Sequence, residues 1–331
     1  MGENLSKMLK EASAVEMMQL FNSGVYISPT TRCNARCRHC IAQDDEPELV
    51  DVEETTLLNW IDQISKCGIK GVHFVGGEPF VVRKTLVNVV KRLGEHNMFA
   101  SVVTNAFWAK TKEIGISVLN EMPDLKIMII SCDKYHLEFI DVQTVKNAIE
   151  AGLATNKFVV MNTTYISKED IDCIQDLFQE YKNKMIFQTV KAMPFHGEES
   201  KKIKSYEYFQ MPTRVPKFCG IGNYFIDVYG TVYSCCQASR SLETRYLELG
   251  NLNKETMTEM DARMKDNPVF KFIHKNGPRG ILKIFMDSPY KEKLENNKYA
   301  CGCELCHDLL DDRELYRYFV SRIADRGSLN E

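Results

Sequence analysis

The stretch "TTRCNARCRHCIAQ" sets Cys33, Cys37 and Cys40 within eight residues. Spacings of three and then two residues let a tight loop wrap one corner of a metal cluster and supply three thiolates. A closed zinc or iron–sulfur site takes four protein ligands, so three leave one metal position open, and an open position usually does chemistry. The alternative is a zinc loop that borrows a distant ligand. His39 is a nominal ligand for it, but an aromatic ring directly before the third cysteine more often packs than ligates. A second group of thiols lies in the C-terminal half: Cys219, Cys235, and Cys303 and Cys306 in "CGCELC". Two pairs give four thiolates, enough to close a site on zinc or on an iron–sulfur cluster. Cys301 competes with Cys303 for that role, although the CxxC spacing favours Cys303. Cys235 and Cys236 are neighbours, so in extended chain only one of them faces such a site. Cys67, Cys132 and Cys173 read as packing residues.

Twelve cysteines in a chain with no secretion signal point to metal or redox chemistry in a reducing compartment, the cytoplasm, rather than to disulfides. The N-terminal "MGENLSKMLKEASAVEMMQLF" is an amphipathic helix pattern, and no apolar run approaches the ~18 residues of a membrane span. A net charge of −3 with no basic patch argues against a nucleic-acid or membrane partner. The 331 residues, 44% of them hydrophobic, suffice for one large α/β domain plus a smaller one.

The elements that must position the thiols follow from periodicity. Short β-branched runs alternate with amphipathic helical stretches from residue 24 to 196. "GVYISPT", "GVHFVGGEP", "FASVVTN", "DLKIMIISCD", "KFVVMNTTYI" and "MIFQTVKAMP" read as buried parallel strands. "ETTLLNWIDQISKCG" and "RKTLVNVVKRLGEH" read as helices between them, with Leu57, Ile61 and Ile64 on one face of the first. Six such units suggest an open (β/α)6 barrel with its site at the carboxyl ends of the strands, although a doubly wound sheet fits the periodicity equally well. The charged, proline-containing stretch 197–218 reads as a linker. After it, "CGIGNYFIDVYGTVYSCC" reads as a β-hairpin turning at Tyr229-Gly230, then a charged helical segment and a final amphipathic helix. The expected organisation is an N-terminal helix over 1–23, a barrel over 24–196, the linker, a small cysteine-bearing domain over 219–310 and a C-terminal helix over 311–331.

In its cysteine loop the sequence resembles the radical S-adenosylmethionine (SAM) superfamily, whose signature is CxxxCxxC with an aromatic residue before the last cysteine. "GGEP" at Gly76, Gly77, Glu78 and Pro79 ends the second strand, as in that superfamily, where it meets the amino group of SAM. Two glycines let backbone approach a ligand closely, and a carboxylate suits an ammonium. The resemblance further implies SAM or cluster contacts from Thr104 and Asn105 after the third strand, Ser131 and Asp133 after the fourth, Asn162 on the fifth, and His39, the aromatic residue before the last cysteine. Ser131 and Asp133 share one side by strand alternation, and Cys132 points to the helices. The C-terminal cysteines resemble the truncated "twitch" form of the SPASM auxiliary domain. Its G-x4-C spacing selects Cys235, and its ligand set becomes Cys219, Cys235, Cys303 and Cys306. No cysteine follows Cys306, so one auxiliary cluster is expected rather than two.

The resemblance implies a partial (β/α)6 barrel, a SAM-binding [4Fe–4S] cluster on Cys33, Cys37 and Cys40, and an auxiliary [4Fe–4S] cluster. It implies reductive cleavage of SAM to a 5′-deoxyadenosyl radical, fed by a reducing protein such as a flavodoxin or ferredoxin. Radical SAM epimerases with twitch domains use a cysteine to return a hydrogen atom, and Cys236 is the spare thiol for that role. Epimerisation of a sugar, an aminocyclitol or a short peptide is therefore expected first. Two-electron oxidation or peptide cross-linking comes next, and a non-catalytic iron–sulfur or zinc protein is the reading of another class.

Overall fold

The computed structural model describes residues 24–40, 48–192, 224–235, 244–296, 299 and 301–327. The helix expected over 1–23, the linker over 197–218, and Cys219 and Cys236 lie outside the described residues.

All six expected barrel strands form: β1 (Val25–Ile27), β2 (Gly71–Phe74), β3 (Phe99–Thr104), β4 (Leu125–Ser131), β5 (Phe158–Tyr165) and β6 (Ile186–Lys191). They pair in parallel with their neighbours in chain order. Parallel neighbours need long crossovers, and helices supply them. These are α1 (Glu54–Ser65), α2 (Arg83–Glu95), α3 (Lys112–Asn120), α4 (Val142–Ala154) and α5 (Lys168–Leu177). The spacing of Leu57, Trp60, Ile61 and Ile64 lays one face of α1 on the sheet, and all four are buried. Val25, Ile27, Val72, Phe74, Ala100, Val102, Met128, Ile130 and Met161 join the main apolar core under the helices. Because side chains alternate along a strand, Tyr26, His73, Ser101, Ile129, Ser131 and Asn162 face the concave side. That side is the more polar one.

The C-terminal hairpin is no detached unit. β7 (Tyr224–Ile226) pairs in parallel with β1, and β8 (Thr231–Tyr233) and β9 (Glu248–Asn251) continue as an antiparallel meander. The sheet therefore has nine strands in the order β6-β5-β4-β3-β2-β1-β7-β8-β9. The turn falls at the expected Tyr229-Gly230. Asp227 Oδ1 accepts the N–H groups of Tyr229 and Thr231, each at 2.9 Å, and Gly230 takes φ +82°.

Helices α6 (Met257–Asp266), α7 (Pro268–Met286), α8 (Lys291–Asn296), α9 (Gly302–Leu310) and α10 (Arg313–Gly327) follow. The segment entering α6 docks on α1: Trp60 Nε1 donates to Asn253 Oδ1 at 3.0 Å, and the Gln63 side chain bonds both Leu252 O and Met257 N. Cys132 is fully buried in the core, as expected, and Cys67 packs at its edge. Cys173 is exposed, against the packing role expected of it, because it sits on the solvent side of α5. No helix among the described residues is long and apolar enough to cross a membrane.

Candidate active site

The loop that carries Cys33, Cys37 and Cys40 leaves β1 and is held from three directions. Along one flank, Thr31 N–H donates to Val50 O at 2.9 Å, Val52 N–H donates to Pro29 O at 3.0 Å, and Arg32 pairs with Asp51. On the other flank lies the glycine turn after β2. Gly77 N–H donates to Thr30 O at 2.9 Å, and Glu78 N–H donates to Arg32 O at 2.8 Å. The approach is so close that a Cβ on Gly77 would lie 2.1 Å from Arg32 O. Gly76 takes φ +108°, and a Cβ there would strike Ser28 Oγ at 2.2 Å. In this chain, then, the two glycines let the turn seat against the cysteine loop's own backbone.

Glu78 is the hub behind that contact. Its Oε1 accepts Phe80 N–H at 3.1 Å and the Thr104 hydroxyl at 2.8 Å, and its Oε2 accepts Asn105 N–H at 2.7 Å. Burial pushes its pKa up to about 7, although these three donors pull the other way. Trp108 Nε1 in turn donates to Thr104 Oγ1 at 3.0 Å. The Asn105 amide bonds Asn34 Oδ1 at 2.9 Å and reaches the Cys33 sulfur at 3.8 Å. Thr104 and Asn105 thus lie at the end of β3 as expected, brought onto Glu78 and the cysteine loop. Pro79 opens the single 3-10 turn that follows.

The turn after β4 grips the loop from the third side. Arg38 pairs with Glu138, and its guanidinium lies 5.4 Å from the centre of the Tyr135 ring. His39 is buried and stacks on Tyr135 with ring centroids 4.8 Å apart, so the expected packing of this ring is what forms. Its Nε2 lies 3.3 Å from Asp133 Oδ2. Asp133 has no solvent exposure, and its oxygens also accept the N–H groups of Tyr135 and His136 and the Nδ1 of His136 at 2.8 Å. Burial opposes charge on Asp133, yet His136 and His39 hold its carboxyl far below the usual range. Burial likewise opposes charge on His136, but Asp133 and the Cys37 thiol push its pKa up to about 10. Sequence reasoning missed His136. Its only signal is the i,i+3 spacing from Asp133.

The three thiols are half-buried and close enough to feel one another. Burial, with the added fields of Glu78, Cys40 and Cys37, pushes the Cys33 thiol up to about 11. Sulfurs crowded beside a buried carboxylate are a poor arrangement for free thiols and a good one for cationic iron and an ammonium group. Two buried acceptors support the same fit: Asn162 Oδ1 and His39 Nδ1 have no hydrogen-bond partner among the described residues. Ser131 sits beside Asn162 in the β4–β5 register. The donor set therefore fits a [4Fe–4S] cluster and SAM.

A second thiol group forms near β8 and α9. Burial holds the Tyr246 hydroxyl well above the ordinary value, and Cys306, Cys235 and Cys303 add to that, so the three thiols lie near one buried tyrosine. Cys301 joins them at the N-cap of α9. The Cys303 thiol and the backbone N–H groups of Cys303 and Glu304 hold its sulfur below the ordinary thiol value. The structure thus brings Cys301 as well as Cys303 to this place, where spacing alone favoured only Cys303. Four described thiols thus lie in one neighbourhood, a donor type that suits a cluster or a zinc ion.

Comparison with known proteins matches residues 27–181 to the radical SAM superfamily profile. Bacillus subtilis (strain 168) YydG, which is named for peptide biosynthesis, is 20% identical over 309 residues, covering 91% of this chain and 96% of that one. Among solved structures, anSMEcpe with bound AdoMet and a Cp18Cys peptide superposes with a TM-score of 0.54 at 13% identity, covering 93% of this chain and 99% of that one. Streptococcus suis SuiB bound to the precursor peptide SuiA also gives 0.54 at 13% identity, covering 90% and 76%. These likenesses support the fold. The match runs from β1 through the turn after β2 and the β4 bracket to just past α5, and so spans the elements that hold the three cysteines. Residues 27–181 are a radical SAM domain.

Proposed function

We propose that the chain is a radical SAM enzyme that epimerises a residue of a peptide. The observation that carries the chemistry is the cradle itself: three thiols on a loop clamped against the Gly76-Gly77-Glu78 turn, with a buried carboxylate at its centre. Cys33, Cys37 and Cys40 would hold a [4Fe–4S] cluster with one iron open to SAM. Together the cluster and SAM supply a 5′-deoxyadenosyl radical that removes one hydrogen atom from the substrate. The chain's own residues orient and exclude. Glu78 offers charge to the SAM ammonium, Asn162 and Ser131 offer acceptors on the concave face, and the barrel keeps water out. Cys235, Cys303 and Cys306, with Cys219 or Cys301, would hold the auxiliary cluster.

The peptide assignment is supported by the full-length likeness to a protein named for peptide biosynthesis, and by two neighbours whose structures contain peptides. It narrows the substrate classes that the sequence left open. Epimerisation rests on Cys236, the spare thiol beside Cys235, as donor of a hydrogen atom to the opposite face of the substrate radical.

The test incubates the reconstituted, reduced chain in deuterated water with a synthetic peptide library and, separately, with a set of aminocyclitols. The expected result is deoxyadenosine formation stimulated by peptide, with one deuterium and a D-configured residue in the product. Cys236→Ala should still cleave SAM but give no epimer. Stimulation by aminocyclitols alone would overturn the peptide assignment, and an epimer from Cys236→Ala would overturn the donor.

A further inference from the structure

Trp108 touches both of the residues that hold one oxygen of Glu78. Its indole N–H donates to Thr104 Oγ1 at 3.0 Å, and its ring stacks on that of Phe80 with centroids 4.4 Å apart. Thr104 and Phe80 are in turn the two donors to Glu78 Oε1, the hydroxyl at 2.8 Å and the N–H at 3.1 Å. All four side chains are buried.

The Thr104 hydroxyl has one proton and two lone pairs, and each has a partner. Ala106 N–H takes one lone pair at 3.1 Å, and Trp108 Nε1–H takes the other. The proton is left with a single destination, Glu78 Oε1. A threonine hydroxyl usually rotates to suit its neighbours, but this one is held in one orientation. The backbone is strained in the same turn. Ala106 is fully buried and takes φ +69°, a left-handed conformation that favours glycine, and Trp108 returns over Thr104 from two residues further on.

On the carboxylate, both acceptor positions of Oε1 are therefore filled. Oε2 accepts Asn105 N–H at 2.7 Å and, among the described residues, has capacity for one more donor. With Oε1 pinned from two sides, that remaining position has a fixed direction.

We propose that Trp108 and Thr104 are positioning residues for Glu78: together they fix its carboxylate so that the one open acceptor position, on Oε2, receives the ammonium group of SAM. The family resemblance offers Thr104 as a SAM contact, whereas here it acts through Glu78. The inference rests on the reading that Glu78 meets that ammonium.

The experiment measures binding to the full reconstituted chain at pH 8 by calorimetry, for SAM and for 5′-methylthioadenosine. The second ligand has the adenosine but no amino-acid portion, and so no ammonium. Glu78→Gln tests the underlying reading and should weaken SAM alone. If it binds SAM as the wild type does, that reading fails and the proposal falls with it. Trp108→Phe keeps a ring against Phe80 and removes the N–H. Its iron content should match wild type, and its SAM affinity should fall about tenfold, the effect of one hydrogen bond in a charged network. Its affinity for methylthioadenosine should stay within about twofold of wild type. Thr104→Val should behave in the same way, and Thr104→Ser, which restores the hydroxyl, should recover wild-type binding. The double variant of Trp108→Phe and Thr104→Val should bind SAM no more weakly than either single one, because the two residues act in series. Wild-type SAM affinity in Trp108→Phe, equal losses for the two ligands, or losses that add in the double variant would overturn the proposal. Should Trp108→Phe fail to fold, Thr104→Val and Thr104→Ser decide, and equal SAM affinity in those two would overturn it.

Discussion

Replacing Gly77 by alanine is expected to leave a folded chain that no longer holds iron at the N-terminal cysteine loop. The new methyl group would lie 2.1 Å from Arg32 O, 2.6 Å from its carbonyl carbon and 2.7 Å from Thr31 O. All three are backbone atoms, so no rotamer change relieves the clash. The loop must move one residue before Cys33, and Gly77 N–H and Glu78 N–H must release Thr30 O and Arg32 O. Overpacking of this kind costs on the order of 1–3 kcal/mol, which a domain of this size survives. The site is less tolerant, because a cluster needs its thiolates at fixed separations. Iron analysis after anaerobic reconstitution should show a loss of about four irons per chain. Circular dichroism should show an unchanged fold. Gly68→Ala is the control. Its φ of +72° makes alanine strained there too, but a Cβ would meet nothing within 4 Å, so its iron content should match wild type.

The second large effect is a pH dependence of SAM binding centred on Glu78. Burial raises this carboxyl from 4.5 to about 7 before any ligand arrives. Below pH 7 the group is mainly neutral and has no charge to offer an ammonium. Above pH 7 it is ionised, and SAM binds without first displacing a proton. The sign follows directly: affinity rises as pH rises through 7 and then levels off. With one competing proton, the dissociation constant should be about tenfold higher at pH 6 than at pH 8. Titration calorimetry should also find nearly one proton released per SAM bound at pH 6 and almost none at pH 8. Glu78→Gln has no charge at any pH, so its binding should be weak and flat across this range. It also turns an amide N–H2 toward a donor among Phe80 N–H, Asn105 N–H and the Thr104 hydroxyl, which destabilises it by about 1–3 kcal/mol. A tenfold change that survives in Glu78→Gln would show that another group governs the dependence.

Much of this site was legible locally. Three cysteines at CxxxCxxC spacing and two glycines before Glu78 each carry their meaning within a few residues, and strand alternation placed Cys132 in the core. The six parallel strands were legible for the same reason, since each is a short β-branched run followed by an amphipathic helix. What sequence could not carry is long-range pairing. Nothing in "YFI" announces that β7 lies beside β1, almost two hundred residues earlier. The four residues "ELGN" of β9 show no alternation and contain a glycine, so their strand is made by β8 rather than by propensity. Side-chain partners were equally hidden. Asp133 stands at the expected strand end, but only the fold reveals that its oxygens are spent on two imidazoles. Cys301 looked dispensable by spacing, and the start of α9 is what draws it to Cys303.

The central claim is that two groups of cysteines hold two iron–sulfur clusters, of which the N-terminal one binds SAM. Iron and sulfide content, measured with electron paramagnetic resonance on anaerobically reconstituted chain with and without SAM, tests it most directly. The comparison is a variant with Cys33, Cys37 and Cys40 all replaced by alanine. About eight irons falling to about four, with a wild-type signal that shifts when SAM is added, is the predicted result. Iron that is unchanged in the variant, or a signal indifferent to SAM, would contradict it.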